Sequence, residues 1–87
     1  MLSIEESEVP PGCGVMAYMT EKDGDVKLIW DRSRPAEVKS CRTQFDELRK
    51  QGYLAYKVKG DGSTGKQIFE FDPDAERIIL IPAVQGG

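Results

Sequence analysis

Residues 77–84, RIILIPAV, are apolar at consecutive positions from Ile78 on rather than at alternate ones. A strand with one wet face alternates, so a run greasy on both faces belongs in the middle of a sheet. Pro82 then ends the pairing on one side. A small chain that must bury such a strand needs partners on both edges and a layer over at least one face. In 87 residues there is room for one domain and one modest core.

The remaining segments supply the partners. CGVMAYMT (13–20) has strand composition, weakened by a glycine and an alanine. EKDGD (21–25) centres on Asp23-Gly24, and the pattern predicts a hairpin with both turn positions at positive φ. VKLIWD (26–31) sets Val26, Leu28 and Trp30 on one side of a second strand. Pro35 opens a helix, because its missing N–H is an orphan in the first turn anyway. Val38, Cys41, Phe45 and Leu48 follow at spacings of three, four and three, one helical face. Glu37 and the pair Arg49 and Lys50 suit the two ends of the helix dipole. Gly52 is the expected left-handed residue after the C-cap. At the N-cap Arg34 is a poor cap, leaving Ser33 or Asp31 to serve.

YLAYKVK (53–59) predicts a strand with Leu54, Tyr56 and Val58 toward the core. GDGSTG (60–65) reads as a loop, KQIFEF (66–71) as a short strand, and DPDAE (72–76) as a turn with Pro73 at its second position. The expected core joins Val26, Leu28 and Trp30 to Val38, Cys41, Phe45, Leu48, Leu54, Tyr56, Val58, Ile78 and Leu80. The element order is β-β-α-β-β-β, an α+β chain with one helix. A last strand lying beside the first, with the helix on the crossover, makes a parallel central pair of right-handed connection. This is the β-grasp arrangement. The expected division is an acidic disordered arm over 1–12, the folded domain over 13–83 and a flexible tail over 84–87.

Charge and composition exclude several functions. The net charge is −3, and Glu5, Glu6 and Glu8 carry all of it; the rest of the chain balances 12 basic against 12 acidic side chains. Such a body is a poor match for nucleic acid, and no partner of that kind is expected. An anionic membrane is an equally poor match. No run approaches the roughly 20 apolar residues of a membrane span, and the N-terminus has no secretory pattern, so the expected location is cytoplasmic. Cys13 and Cys41 are the only cysteines and histidine is absent. Two thiols alone do not make a zinc site, and they read as small buried hydrophobes without a disulfide. Without histidine, Ser–His and Cys–His catalysis are excluded. No catalytic residue, no metal and no bound cofactor is expected, so the chain is not read as an enzyme.

Most motifs dissolve into structure. GDGSTGK (60–66) matches the start of a phosphate-binding loop, but Gln67 stands where Ser or Thr must meet magnesium, and the residues beyond alternate as a strand. DGD (23–25) and DPD (72–74) lack the spaced oxygens of a calcium loop. Tyr53 and Tyr56 with Lys57 and Lys59 are an ordinary strand rather than a base-stacking surface. Arg42–Asp46 and Asp46–Lys50 are helix-surface pairs.

The end of the sequence, ILIPAVQGG (79–87), is different. It resembles the end of the MoaD-type sulfur carriers, in which an apolar strand runs through proline into a terminal Gly-Gly. More broadly it is similar to ubiquitin-like proteins of the ubiquitin and MoaD/ThiS superfamily. The resemblance implies that Gly86 and Gly87 form the reactive C-terminus, with Val84 and Gln85 as the residues by which the tail is recognised. It implies an E1-like adenylating enzyme as partner, an E2-like enzyme and a deconjugating protease with it, and target proteins as acceptors. ATP is used by that enzyme and not held by this chain.

The chemistry agrees. An α-carboxylate is ionised at neutral pH and can attack the α-phosphate of ATP. Glycines let the backbone thread a narrow channel. Three readings follow: a protein modifier joined to target amines, a sulfur carrier ending in a thiocarboxylate, and an interaction or structural module with an inert tail. Strand parity adds a docking patch. If Ile78 and Leu80 face the helix, then Ile79 and Ile81 face away, as does Ile29 beside Leu28 and Trp30, and ubiquitin-like proteins use the equivalent face.

Overall fold

The computed structural model describes residues 10–58 and 65–83. Two antiparallel strands, β1 (Cys13–Thr20) and β2 (Gly24–Asp31), lead into helix α1 (Pro35–Lys50), followed by β3 (Tyr53–Val58), β4 (Lys66–Ile68) and β5 (Arg77–Pro82). They form one five-stranded mixed sheet in the order β2-β1-β5-β3-β4. The doubly apolar β5 is in the middle, parallel to β1 with Met16 opposite Ile78 and antiparallel to β3 with Ala55 opposite Leu80. The helix lies across one face, and the chain is α+β.

The hairpin turn is not the one the Asp-Gly pair suggests. Only Gly24 takes positive φ, at 69°, and no described non-glycine residue does. Thr20 pairs with Gly24 across the three residues 21–23, the Thr20 hydroxyl accepts the Asp23 N–H at 2.8 Å, and β2 starts two residues earlier than its alternation indicates.

At the helix start Arg34 is extended and supplies no side-chain cap. Asp31 accepts hydrogen bonds from the Ser33 N–H and hydroxyl, while Glu37 reaches back to the Asp31 N–H at 2.9 Å. The first turn is tied to the end of β2 rather than capped. Gly52 ends the helix at φ 99°, as its position predicts.

The core joins Met16, Trp30, Cys41, Phe45, Leu48, Ala55, Phe71, Ala75, Ile78 and Leu80. Three expectations on β3 are corrected. Leu54, Tyr56 and Val58 are half-buried, and Ala55 is the buried residue. Ala55 shares a row with Leu80 and Lys57 with Ile78, so this register gives the opposite parity to the helix. Val26 is half-buried and outside the core cluster; Leu28 and Val38 pack on its margin.

β4 stops at Ile68. The chain bends over Phe69–Glu70 and turns Phe71 inward, edge-on to Trp30 at 4.9 Å and to Phe45 at 5.9 Å between ring centroids. The Trp30 indole N–H donates to the Pro73 carbonyl at 3.0 Å, and Arg32 donates to the Ala75 carbonyl at 3.0 Å. The 72–76 turn is therefore fastened over the indole. Gly14, opposite Trp30 in β1, has no room for a side chain: a Cβ there would land in the indole ring and 2.7 Å from the Ala75 carbonyl oxygen.

β5 ends at Pro82, two residues short of the expected 84. Cys41 is buried as expected, but Cys13, at the open start of β1, is half-buried; both thiols are free. Most of the 60–66 loop, residues 60–64, lies outside the described residues. Lys66 begins a strand and not a helix, which removes the structural half of a phosphate-binding loop.

Candidate functional site

The exit of β5 is the first part of the candidate site. A strand in the middle of the sheet ends in an exposed proline, and the chain is held for one residue more. Tyr53 stands opposite Pro82, and the Ala83 N–H donates to the Gly52 carbonyl at 3.2 Å. Gly52 is itself fixed by its left-handed φ and by its N–H on the Arg49 carbonyl. Arg49 donates to the Tyr53 carbonyl at 2.7 Å, and the Tyr53 hydroxyl donates to the Met19 carbonyl at 2.9 Å. The helix C-terminus, β3 and β1 thus converge on the point where β5 leaves the sheet. A surface hollow of about 500 Å³ lies beside it, lined by Thr20, Lys22, Gln51, Tyr53 and Pro82 among others.

Val84, Gln85, Gly86 and Gly87 lie outside the described residues, as does the arm over residues 1–9. From Ala83, four residues reach roughly 13 Å. Residues 10–12, which the sequence reading includes in the arm, are part of the fold, where they make a turn into β1.

The second part is the sheet face away from the helix. Cross-strand partners share a face, so the register assigns it. One row holds Ile29, Val15, Arg77 and Val58; the next holds Lys27, Ala17, Ile79 and Tyr56; Leu54 and Ile81 pair beyond them. Ile79 and Ile81 do lie on the face opposite the helix, with Ile81 49% exposed and Ile79 half-buried. Ile29 lies on the same face but one row away, with Val15 and Ala17 of β1 intervening, so the three isoleucines are not one cluster. The neighbours that complete the apolar surface around Ile79 and Ile81 are Ala17, Met19, Leu54 and Tyr56. Sequence reasoning missed the last two because it gave β3 the opposite parity. A groove of about 340 Å³ runs along Ala17, Met19, Ile79, Ile81 and Pro82, with Lys27 and Asp25 at its edge.

Elsewhere the ionisable groups hold structure. Burial pushes the Cys41 thiol up, and Glu37 adds to the shift, the reverse of what a nucleophilic thiol needs. Burial also raises the Tyr18 phenol, against a hydrogen bond from Gln44. Lys57 holds Asp72 below the usual carboxylate range through a 2.9 Å bond. Among the described residues no group of three or more Cys, Asp or Glu could hold a metal ion, and no helix is long and apolar enough to cross a membrane.

Compared with known proteins, the chain matches no family model, no curated protein and no solved structure.

Proposed function

We propose that this chain is a ubiquitin-like protein modifier of β-grasp fold. Its Gly87 carboxylate is adenylated by an E1-like enzyme, passed to a cysteine thiol as a thioester and then to an amine of a target protein. The carboxylate oxygen attacks the α-phosphate of ATP and pyrophosphate leaves. The thiolate then attacks the acyl carbon and AMP leaves; the amine displaces the thiol in turn. The chain supplies the acyl group and no catalytic side chain.

One observation carries the reading. The middle strand of the sheet, parallel to β1, is pinned as far as Ala83 beside the helix C-terminus, and Gly86-Gly87 follows within four residues. A rigid body with a side-chain-free stretch just past a central strand can present a carboxylate to a narrow active site without unfolding. The proposal requires a free carboxylate at Gly87. The strand order β2-β1-β5-β3-β4 with one helix on one face is compatible with the β-grasp. The apolar surface around Ile79 and Ile81 is the docking face for the activating enzyme.

The test is ATP-dependent thioester formation in an extract of the cells that make the protein. The expected result is a thiol-sensitive adduct that needs ATP and is lost when Gly86 and Gly87 are removed. An adduct that survives their removal, or none with the intact chain, overturns the reading. Conversion of the terminus to a thiocarboxylate instead of an amide would assign the sulfur-carrier chemistry.

A further inference from the structure

The start of β1 limits how a preceding segment can approach the sheet. Pro10, Pro11, Gly12 and Cys13 form a tight turn: the Cys13 N–H donates to the Pro10 carbonyl at 3.1 Å, and Gly12 takes φ 83°. Proline second and a left-handed glycine third is the signature of a type II turn, which reverses the chain. The side of the strand is fixed as well. The Gly12 carbonyl accepts the Arg32 N–H on the β2 side. The Cys13 N–H therefore leaves on the β5 side, where the Val15 N–H also finds the Glu76 carbonyl at 3.1 Å.

A chain entering through Pro10 cannot continue in the plane of the sheet, because Glu76 and Arg77 occupy that lane. It cannot rise on the helix side, where Trp30, Ala75 and the 72–76 turn fill the space over Gly14. The face opposite the helix is open to it.

That face suits the segment chemically. Val15, Ala17 and Ile79 are apolar across two neighbouring rows, and Lys27 and Arg77 stand on either side of β1 among these residues. Burial also rises toward the turn: Val15 is 5% exposed, although no helix lies on its side, while Ile81 at the far end is 49% exposed. The segment MLSIEESEV carries Leu2, Ile4 and Val9 with Glu5, Glu6 and Glu8 between them. Its nine residues span up to about 30 Å, more than the roughly 13 Å from Arg77 to Ile81 along a strand.

We propose that residues 1–9 of the same chain are the occupant of the open sheet face. They fold back from the Pro10–Cys13 turn, with Leu2 and Ile4 on the apolar surface of Ala17 and Ile79 and the glutamates toward Lys27 and Arg77. The segment is then a built-in competitor: any partner for this face must displace it. The inference does not rest on the activation reading, and its test involves neither ATP nor a second protein.

The experiment is methyl NMR on the full chain. Nuclear Overhauser contacts are expected between the Leu2 or Ile4 methyls and those of Ala17, Ile79 or Ile81, unchanged on dilution. The triple variant Glu5→Lys, Glu6→Lys, Glu8→Lys should lose them and shift the Ile79 and Ile81 methyls while the Trp30 indole signal stays in place. Added salt should weaken them in the wild type, since the attraction is between partly exposed charges; this arm needs no variant to fold. Absence of the contacts overturns the proposal. So do contacts that fade on dilution, which place the segment on a second copy, and contacts that lead instead to Leu28 or Cys41 at the helix edge.

Discussion

Phe71 tests the architecture, because the chain turns it inward just past the end of a strand. Its ring is 8% exposed and wedged edge-on between Trp30 and Phe45. Replacing it by alanine removes a ring from a packed core that is closed on three sides by Trp30, Phe45 and the 72–76 turn, so little relaxation can fill the space. Such truncations cost about 3–5 kcal/mol. The whole stability of a domain this size is of the order of 5–10 kcal/mol, so Phe71→Ala should forfeit a third or more of it. The assay is urea unfolding followed by fluorescence of Trp30, the single tryptophan and fully buried. With a denaturant slope of about 1.5 kcal/mol per molar, the midpoint should fall by about 2 M or more. Phe69→Ala is the control: that ring is 66% exposed with Arg49 stacked over it at 5.6 Å, and its loss should cost no more than about 1 kcal/mol. A midpoint for Phe71→Ala near the wild type, or a larger loss for Phe69→Ala, would refute the inward turn after β4.

Gly14→Ala should destabilise strongly, by about 2 kcal/mol or more, because the methyl group collides with the Trp30 ring and the Ala75 carbonyl; a melting temperature within a degree or two of wild type would count against the packing of the indole. The Lys57–Asp72 pair gives a pH signature. Asp72 has its folded pKa depressed below the unfolded value of about 3.9, so its contribution is complete above that value and is lost as pH falls through the folded pKa. Asp72→Asn should therefore flatten the acid limb of the stability curve, and an acid limb identical to wild type would remove the pair from the account. Ile79→Asp with Ile81→Asp should leave the fold intact, since both side chains lie opposite the helix, and abolish engagement by the activating enzyme; unfolding would reverse the assigned facing, and normal activation would remove the docking role.

The sequence carries this fold unevenly. β1, β2, α1 and β5 are legible because each has one dominant pattern: a turn glycine between two strands, a 3-4-3 apolar stripe behind a proline, a run apolar on both faces. The parallel β1–β5 pair follows from those patterns, because a doubly apolar last strand has to sit inside the sheet. β3 is misread because YLAYKV offers apolar groups at both parities and bulk favours Leu54, Tyr56 and Val58. The register with β5 decides the matter, and it brings the small Ala55 to the helix side. Phe71 is invisible to alternation, since KQIFEF reads as one strand while the chain bends after Ile68. The same error hides half of the apolar surface at the candidate site: Leu54 and Tyr56 join Ile79 and Ile81 only once β3 is turned over. The turn at Pro10–Cys13 falls in the stretch read as a disordered arm, because the side it takes depends on the Arg32 and Glu76 partners of the neighbouring strand residues, which no local pattern encodes.

The claim that Gly87 is a deliverable acyl group is tested most directly by intact mass of the protein isolated from the cells that make it. The account predicts a ladder of higher-mass species in which the Gly87 carboxyl is joined by an amide bond to target lysines. A terminus found only as the free carboxylate, with no adduct under any growth condition, would contradict it.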